Sequence, residues 1–107
     1  MQRFGQVIRI NPDRVEEYEA VHRAVWPEVL STIKACSMRN YSIFRYGDLL
    51  FAYFEYVGDD FAADMARMSA DSKTQEWWAI CGPMQVPVPE RAQDEWWHTL
   101  NEVFHTD

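Results

Sequence analysis

His22 lies four residues after Tyr18 and four before Trp26. Four residues are little more than one helical turn, so on a single helix the three side chains would share a face. An imidazole beside a phenol and an indole suits a neutral polar substrate. Histidine gives or takes a proton near pH 7, which general acid–base chemistry requires. The same spacing also fits a core histidine satisfied by a backbone carbonyl. Tyr41, in Asn40-Tyr41-Ser42-Ile43-Phe44, is a second candidate. It is a good strand former whose phenol could hold a hydroxyl in a pocket. Trp77-Trp78 is the third. Neighbours on a helix point about 100° apart, so one can fill a core while the other faces a site. An indole offers an apolar face to sugar C–H groups and one N–H donor. Core and interface roles remain open for this pair. Trp96-Trp97 repeats the doublet in a polar stretch, where a lid and an interface both fit.

Other chemistries find no support. There is no Gly-rich phosphate loop, no G-x-S-x-G and no zinc spacing. His98 and His105 are too far along the chain from His22 to imply a shared metal. Cys36 and Cys81 lie outside any CxxC pattern and read as reduced, small buried residues. Seventeen Asp and Glu against ten Lys and Arg leave a net charge of −7. Such a surface repels phosphate backbones, which argues against a general nucleic-acid binder. No apolar run approaches a membrane span, and Met1–Gln6 carries no signal-peptide core, so a cytosolic protein is expected.

The elements that must position these residues follow from the pattern. With 107 residues, 48% of them hydrophobic, the chain has room for one domain, residues 1–107, and one core. Five Trp exceed what that core needs, so some are expected to line a pocket or an interface. Phe4 to Ile10 alternates as a strand. Asn11-Pro12-Asp13 starts a helix by cap, N1 proline and dipole. Val15, Tyr18, Val21, His22, Val25 and Val29 continue it at helical spacing, and Pro27 must kink it or open a second helix near Trp26. Met38–Tyr46 and Leu49–Val57 form a hairpin about Gly47-Asp48. Gly58-Asp59-Asp60 caps a helix carrying Phe61, Met65 and Met68. A break at Asp71-Ser72 precedes a further helix from Thr74 to Cys81, which Gly82-Pro83 ends. Pro87 to Asp94 reads as a loop, and Leu100–His105 as a closing strand. The order β-α-β-β-α-β is the α+β, ferredoxin-like arrangement, with an antiparallel sheet. One sheet face then lacks a cover, so a homodimer is expected.

The chain resembles the L-rhamnose mutarotases over nearly its whole length. The likeness lies in Ile10-Asn11-Pro12-Asp13, Glu17–His22, Val25-Trp26-Pro27-Glu28-Val29-Leu30, Asn40-Tyr41-Ser42-Ile43, Leu49-Leu50-Phe51-Ala52, Trp77-Trp78 and Glu102-Val103-Phe104-His105. It implies a dimeric ferredoxin-like fold, no cofactor and no metal. It also implies interconversion of the α and β anomers of a 6-deoxy-L-hexopyranose. On that resemblance the catalytic proton donor falls on His22, and the sugar-binding residues on Tyr18, Tyr41, Trp77 and Trp78. The resemblance does not extend to Met84–Trp97, a Pro-rich loop with its own Trp pair, and loops set substrate choice. L-Rhamnose comes first and L-fucose next. Ring opening needs a proton on the ring oxygen and loss of the anomeric hydroxyl proton, with Tyr18 or Tyr41 beside His22 as orienting or relaying groups. A cofactor-free monooxygenase or a haem-binding protein would share the architecture, since fold does not fix function.

Overall fold

A computed structural model describes all of residues Met1–Asp107. Strand β1 (Gln2–Ile10) runs into the turn capped by Asn11, whose Oδ1 accepts from the Asp13 amide at 3.0 Å. Helix α1 (Val15–His22) then stops, and α2 (Pro27–Ala35) begins with Pro27 at its first position. Trp26 is extended (φ −61°, ψ 137°), as the residue before a proline must be. Of the two outcomes open for Pro27, a second helix is the one observed. Tyr18 and His22 therefore share a helix that Trp26 does not.

Strands β2 (Met38–Tyr46) and β3 (Leu49–Tyr56) form the hairpin, with Gly47 at φ +59° in its two-residue turn. Asp60 caps α3 (Phe61–Ala70) by accepting from the Ala63 amide at 3.1 Å. Asp71 caps α4 (Ser72–Cys81) by accepting from the Thr74 amide at 2.9 Å. The antiparallel sheet has the order β2-β3-β1, and the far edge of β1 is shared by two short strands. Strand β4 (Gln85–Val86) pairs with Arg9 and Ile10, and β5 (His98–Leu100) pairs with Gly5 to Val7. The fold is thus the ferredoxin-like α+β arrangement, with each helix split in two and the fourth strand interrupted by the Pro-rich loop. No helix is long and apolar enough to cross a membrane.

The last two strands differ from expectation. The closing strand lies at His98–Leu100, not Leu100–His105, and Asn101–Asp107 has no regular structure. Alternation makes a strand only where one face is covered, and Val103 and Phe104 stand in solvent. The tail is tied by a side-chain fork instead: Arg3 donates Nε to Glu102 Oε2 at 3.0 Å and Nη2 to Oε1 at 3.1 Å. Strand β4 was not expected, because two residues before a proline are too few to alternate.

On the helix-facing side of the sheet, β1 presents Phe4, Gln6, Ile8 and Ile10 opposite Phe54, Ala52 and Leu50 of β3. The buried side chains divide into two groups. One gathers Ile8, Ile10, Tyr18, Val29, Leu50, Trp77, Cys81 and Met84, and the other Cys36, Met38, Phe54 and Met68.

A β-bulge sets which face Tyr41 joins. Arg39 pairs with Glu55 and Ser42 with Tyr53, so Asn40 and Tyr41 together oppose Phe54. Asn40 takes the left-handed conformation at φ 53°, and its Nδ2 donates to Glu55 Oε1 at 2.8 Å. The extra residue reverses the alternation. Met38 faces the helices on one side of the bulge, and Tyr41, Ile43 and Arg45 do on the other. Without it Tyr41 would point to the opposite face. A β-branched residue at position 40 meets the steric penalty of the left-handed region, roughly 1–2 kcal/mol. Asn40→Val is expected to be less stable than Asn40→Gly by about that amount. Urea unfolding midpoints check this, and equal midpoints would refute the left-handed requirement.

Candidate active site

Between the helices and the sheet lies a cavity of about 1180 Å³. It is large beside the usual small-molecule site of about 300–1,000 Å³. Residues of both buried groups line it, so it divides the core. Among its polar groups are Gln6 of β1, Tyr18 and His22 of α1, Tyr41 of β2, and Gln85 of β4.

His22 is held by its own helix. Its Nδ1 lies 2.8 Å from the Tyr18 carbonyl oxygen, which can only accept, so Nδ1 carries the proton. In the neutral ring Nε2 then holds a lone pair, and in the charged ring Nε2 is a donor. Aromatic neighbours hold the imidazole plane. The Tyr18 ring stacks on it at 4.2 Å between centroids, and Trp77 meets it edge-on at 5.5 Å. Trp77 also meets Trp26 edge-on at 5.2 Å. So Trp26, though off α1, still rejoins the Tyr18–His22 pair through Trp77. The carbonyl-satisfied histidine and the pocket histidine are the same residue: one nitrogen is anchored, and the ring lines the cavity.

The tyrosines are neutral donors here. Tyr18 is buried, and desolvation pushes its phenol well above the ordinary value, against a smaller opposing effect of the hydrogen bond from Gln85. Tyr41 leaves 37% of its surface open, yet burial of its hydroxyl raises that group to about 12. The ring edge meets solvent, and the phenol end lies inside. Burial likewise pushes the Cys81 thiol up to about 11, which leaves it an inert wall. The tryptophan doublet divides as adjacent helical residues must. Trp77 is 7% exposed and packs in the core, while Trp78 is 45% exposed at the cavity's margin. No three His, Cys, Asp or Glu side chains come together in a group able to hold a metal ion.

The structure therefore brings Tyr18, His22, Tyr41, Trp77 and Trp78 to one cavity. Sequence reasoning passed over Gln6 and Gln85. Gln6 was legible as the polar residue between Phe4 and Ile8 on the buried side of β1, where it lies opposite the small Ala52. Gln85 carried no comparable signal.

Comparison with known proteins now decides the family. The sequence model described as L-rhamnose mutarotase matches residues 3–106. The chain belongs to the L-rhamnose mutarotase family. It is 34% identical to an L-rhamnose mutarotase of Oceanobacillus iheyensis over the full length of both chains. It is also 34% identical to an L-fucose mutarotase of Xanthomonas campestris, over 97% of this chain and 87% of that protein. The crystal structure of an L-rhamnose mutarotase from Formosa agariphila covers all of both chains with a TM-score of 0.77 at 22% identity. A type-II polyketide cyclase from Streptomyces glaucescens, tetracenomycin F2 cyclase, shares the fold alone. Its TM-score is 0.67 at 21% identity, over 99% of this chain and 96% of that one.

In this member of the mutarotase family, one carboxylate shapes the loop beside the cavity. Glu95 accepts from the Ala92 amide at 2.8 Å, from His98 Nδ1 at 3.0 Å and from the Thr99 amide at 3.2 Å. These bonds favour the charged form and hold its carboxyl at about 2, with the Ala92 amide the largest influence. A carboxyl lowered on folding stabilises the fold fully above its unfolded value, near 4.5, and loses that contribution as pH falls through about 2. Glu95→Gln is therefore expected to be less stable than wild type at neutral pH, with the gap closing between pH 4.5 and 2. Urea midpoints against pH check this, and a gap independent of pH would refute it.

Proposed function

We propose that the chain is a mutarotase that interconverts the α and β anomers of a 6-deoxy-L-hexopyranose, L-rhamnose first and L-fucose next. The observation that carries the proposal is His22. One of its nitrogens is anchored on the Tyr18 carbonyl, its ring is stacked between Tyr18 and Trp77, and it lines the polar end of the cavity. His22 is the catalytic residue. As imidazolium it gives the Nε2 proton to the ring oxygen, and the anomeric hydroxyl gives its own proton to the Nε2 lone pair so vacated. The C1–O5 bond breaks, and the open aldehyde turns about C1–C2 and recloses on the other face. The neutral imidazole takes a proton at the same nitrogen. Tyr18 and Tyr41 stay protonated, because burial raises both phenols, so they act as hydrogen-bond donors that hold the sugar. Trp77 and Trp78 offer the apolar surface for C–H groups and the C6 methyl. Family membership favours this over the oxygenase and haem-binding readings of the same architecture.

The reading extends to assembly and place. Residues 1–107 form one mutarotase domain that works in the cytoplasm as a homodimer. The helix-free face of the sheet supports the dimer. Its β2 residues Phe44 and Tyr46 are 64% and 79% exposed, and Phe51 and Leu100 extend the apolar surface beside them. A contiguous patch of this kind marks an interface. Phe44→Asp is expected to convert the dimer to a folded monomer in sedimentation, and a monomeric wild type would refute the assembly.

The activity is tested by saturation-transfer NMR of anomeric protons, with L-rhamnose and L-fucose at equilibrium and D-glucose as control. Wild-type protein is expected to speed α–β exchange of an L-sugar. His22→Ala is expected to keep the fold and lose about 10²-fold or more of the added exchange, the scale of acid–base catalysis. Unchanged exchange in a folded His22→Ala protein would refute the role of His22.

A further inference from the structure

The hydrogen bonds that meet Tyr18 have a direction, and a residue far along the chain sets it. Trp96 Nε1 lies 2.7 Å from Gln85 Oε1, and Gln85 Nε2 lies 3.1 Å from the Tyr18 hydroxyl. An indole N–H can only donate, so it selects the oxygen end of the Gln85 amide. The NH₂ end is thereby turned toward Tyr18, and it too can only donate. The Tyr18 oxygen must accept. This is the only hydrogen bond of that hydroxyl within the chain, so its own proton is left for the cavity.

Trp96 is itself held in place. The Arg91 guanidinium lies 5.7 Å over its ring, and Arg91 Nη1 donates to the Glu95 carbonyl at 2.9 Å. The Glu95 carboxylate gathers Ala92, His98 and Thr99 around the same turn. A loop that pairs with neither neighbour of Tyr18 in sequence thus reaches it through one side chain.

We propose that Gln85 and Trp96 are positioning residues, which fix the Tyr18 phenol as a hydrogen-bond donor to the bound sugar. The inference rests on the mutarotase reading, since it needs an acceptor oxygen in the cavity. Swapping the amide of Gln85 for a carboxylate reverses the direction without changing shape. In the Gln85→Glu variant the charged carboxylate accepts from Trp96 at one oxygen and from Tyr18 at the other, which takes the Tyr18 proton away from the sugar. The same carboxyl, once protonated, donates to Tyr18 as the amide does.

The test is the ratio of exchange rates, Gln85→Glu over wild type, from pH 5 to pH 8. The titratable groups that meet this corner are Tyr18 and His22 from α1, Tyr41 from β2, Cys81 from α4 and Arg9 from β1, with Arg91, Glu95 and His98 behind Trp96. All are common to both proteins. The ratio is expected to fall by about tenfold as pH rises, the scale of one hydrogen bond to a charged group. In a Tyr18→Phe background the same ratio is expected to stay flat. A flat ratio with Tyr18 present, or an equal fall without it, overturns the proposal; the second outcome would mean that the new charge acts on His22. A readout apart from activity is the Trp96 indole ¹⁵N–¹H resonance, assigned by its loss in Trp96→Phe. It is expected to move upfield in Gln85→Met, and an unmoved resonance overturns the relay. Absence of exchange in wild type would refute the mutarotase reading, while the indole resonance still judges the relay.

Discussion

A space kept open between helices and sheet is the constraint on which this molecule depends. A chain of 107 residues normally closes its helices onto its sheet and fills one core. Here the buried side chains form two groups, one around Ile8, Leu50 and Trp77 and one around Met38, Phe54 and Met68. The cavity is walled by members of both. Each group carries one part of the helix layer, and the short helices α1 to α4, broken at Arg23–Trp26 and Asp71, bend around the opening. Pro27 makes the corner at which Trp26, at the start of α2, meets Trp77 of α4.

Within that space the direction of each hydrogen bond matters more than the number of them. The Tyr18 carbonyl takes the Nδ1 proton of His22, so all proton movement of the imidazole is confined to Nε2. Burial keeps the Tyr18 and Tyr41 phenols protonated. An imidazole with one nitrogen left free stands beside two phenols that keep their protons. Opening and closing a pyranose ring asks for this division, because the reacting oxygens need a proton that moves and the other hydroxyls need fixed partners. The same helix turn supplies Tyr18 as stacking partner and carbonyl acceptor, and two contacts from one residue leave little freedom in where the imidazole sits.

The interrupted fourth strand links the site to the rest of the surface. Strands β4 and β5 occupy the two ends of one edge of β1, and the loop between them carries Trp96 and Trp97 back over the cavity. Ladder pairing on both sides anchors a loop that would otherwise be free at its ends. The opposite face of the same sheet exposes Phe44, Tyr46 and Leu100. One sheet thus turns a floor carrying Gln6 opposite Ala52 toward the cavity and an apolar back toward solvent.

Local chemistry made much of this legible in the sequence. Caps at Asn11 and Asp60, the break at Asp71, the proline at position 27 and the glycine at position 47 act on their immediate neighbours, and each appears where the residues imply. The pairing of Tyr18 with His22 is equally local, since four residues on a helix return to one face. The fold order followed from alternation and helical spacing for the same reason. Tyr41 is different. Simple alternation from Met38 would send it to the outer face, and only the bulge at Asn40, formed against β3, turns it inward. The tail failed for a related reason: Leu100–His105 alternates, but a strand needs a covered face and a free edge, and neither is a property of the segment. Gln85 lies 67 residues beyond Tyr18 and Trp96 further still, and no spacing joins them to it. Whether a side chain is near its neighbours is settled by the backbone's own periodicity. Whether a cavity stays open, and which way a proton points inside it, depends on contacts between segments distant in sequence, and those exist only once the chain has folded.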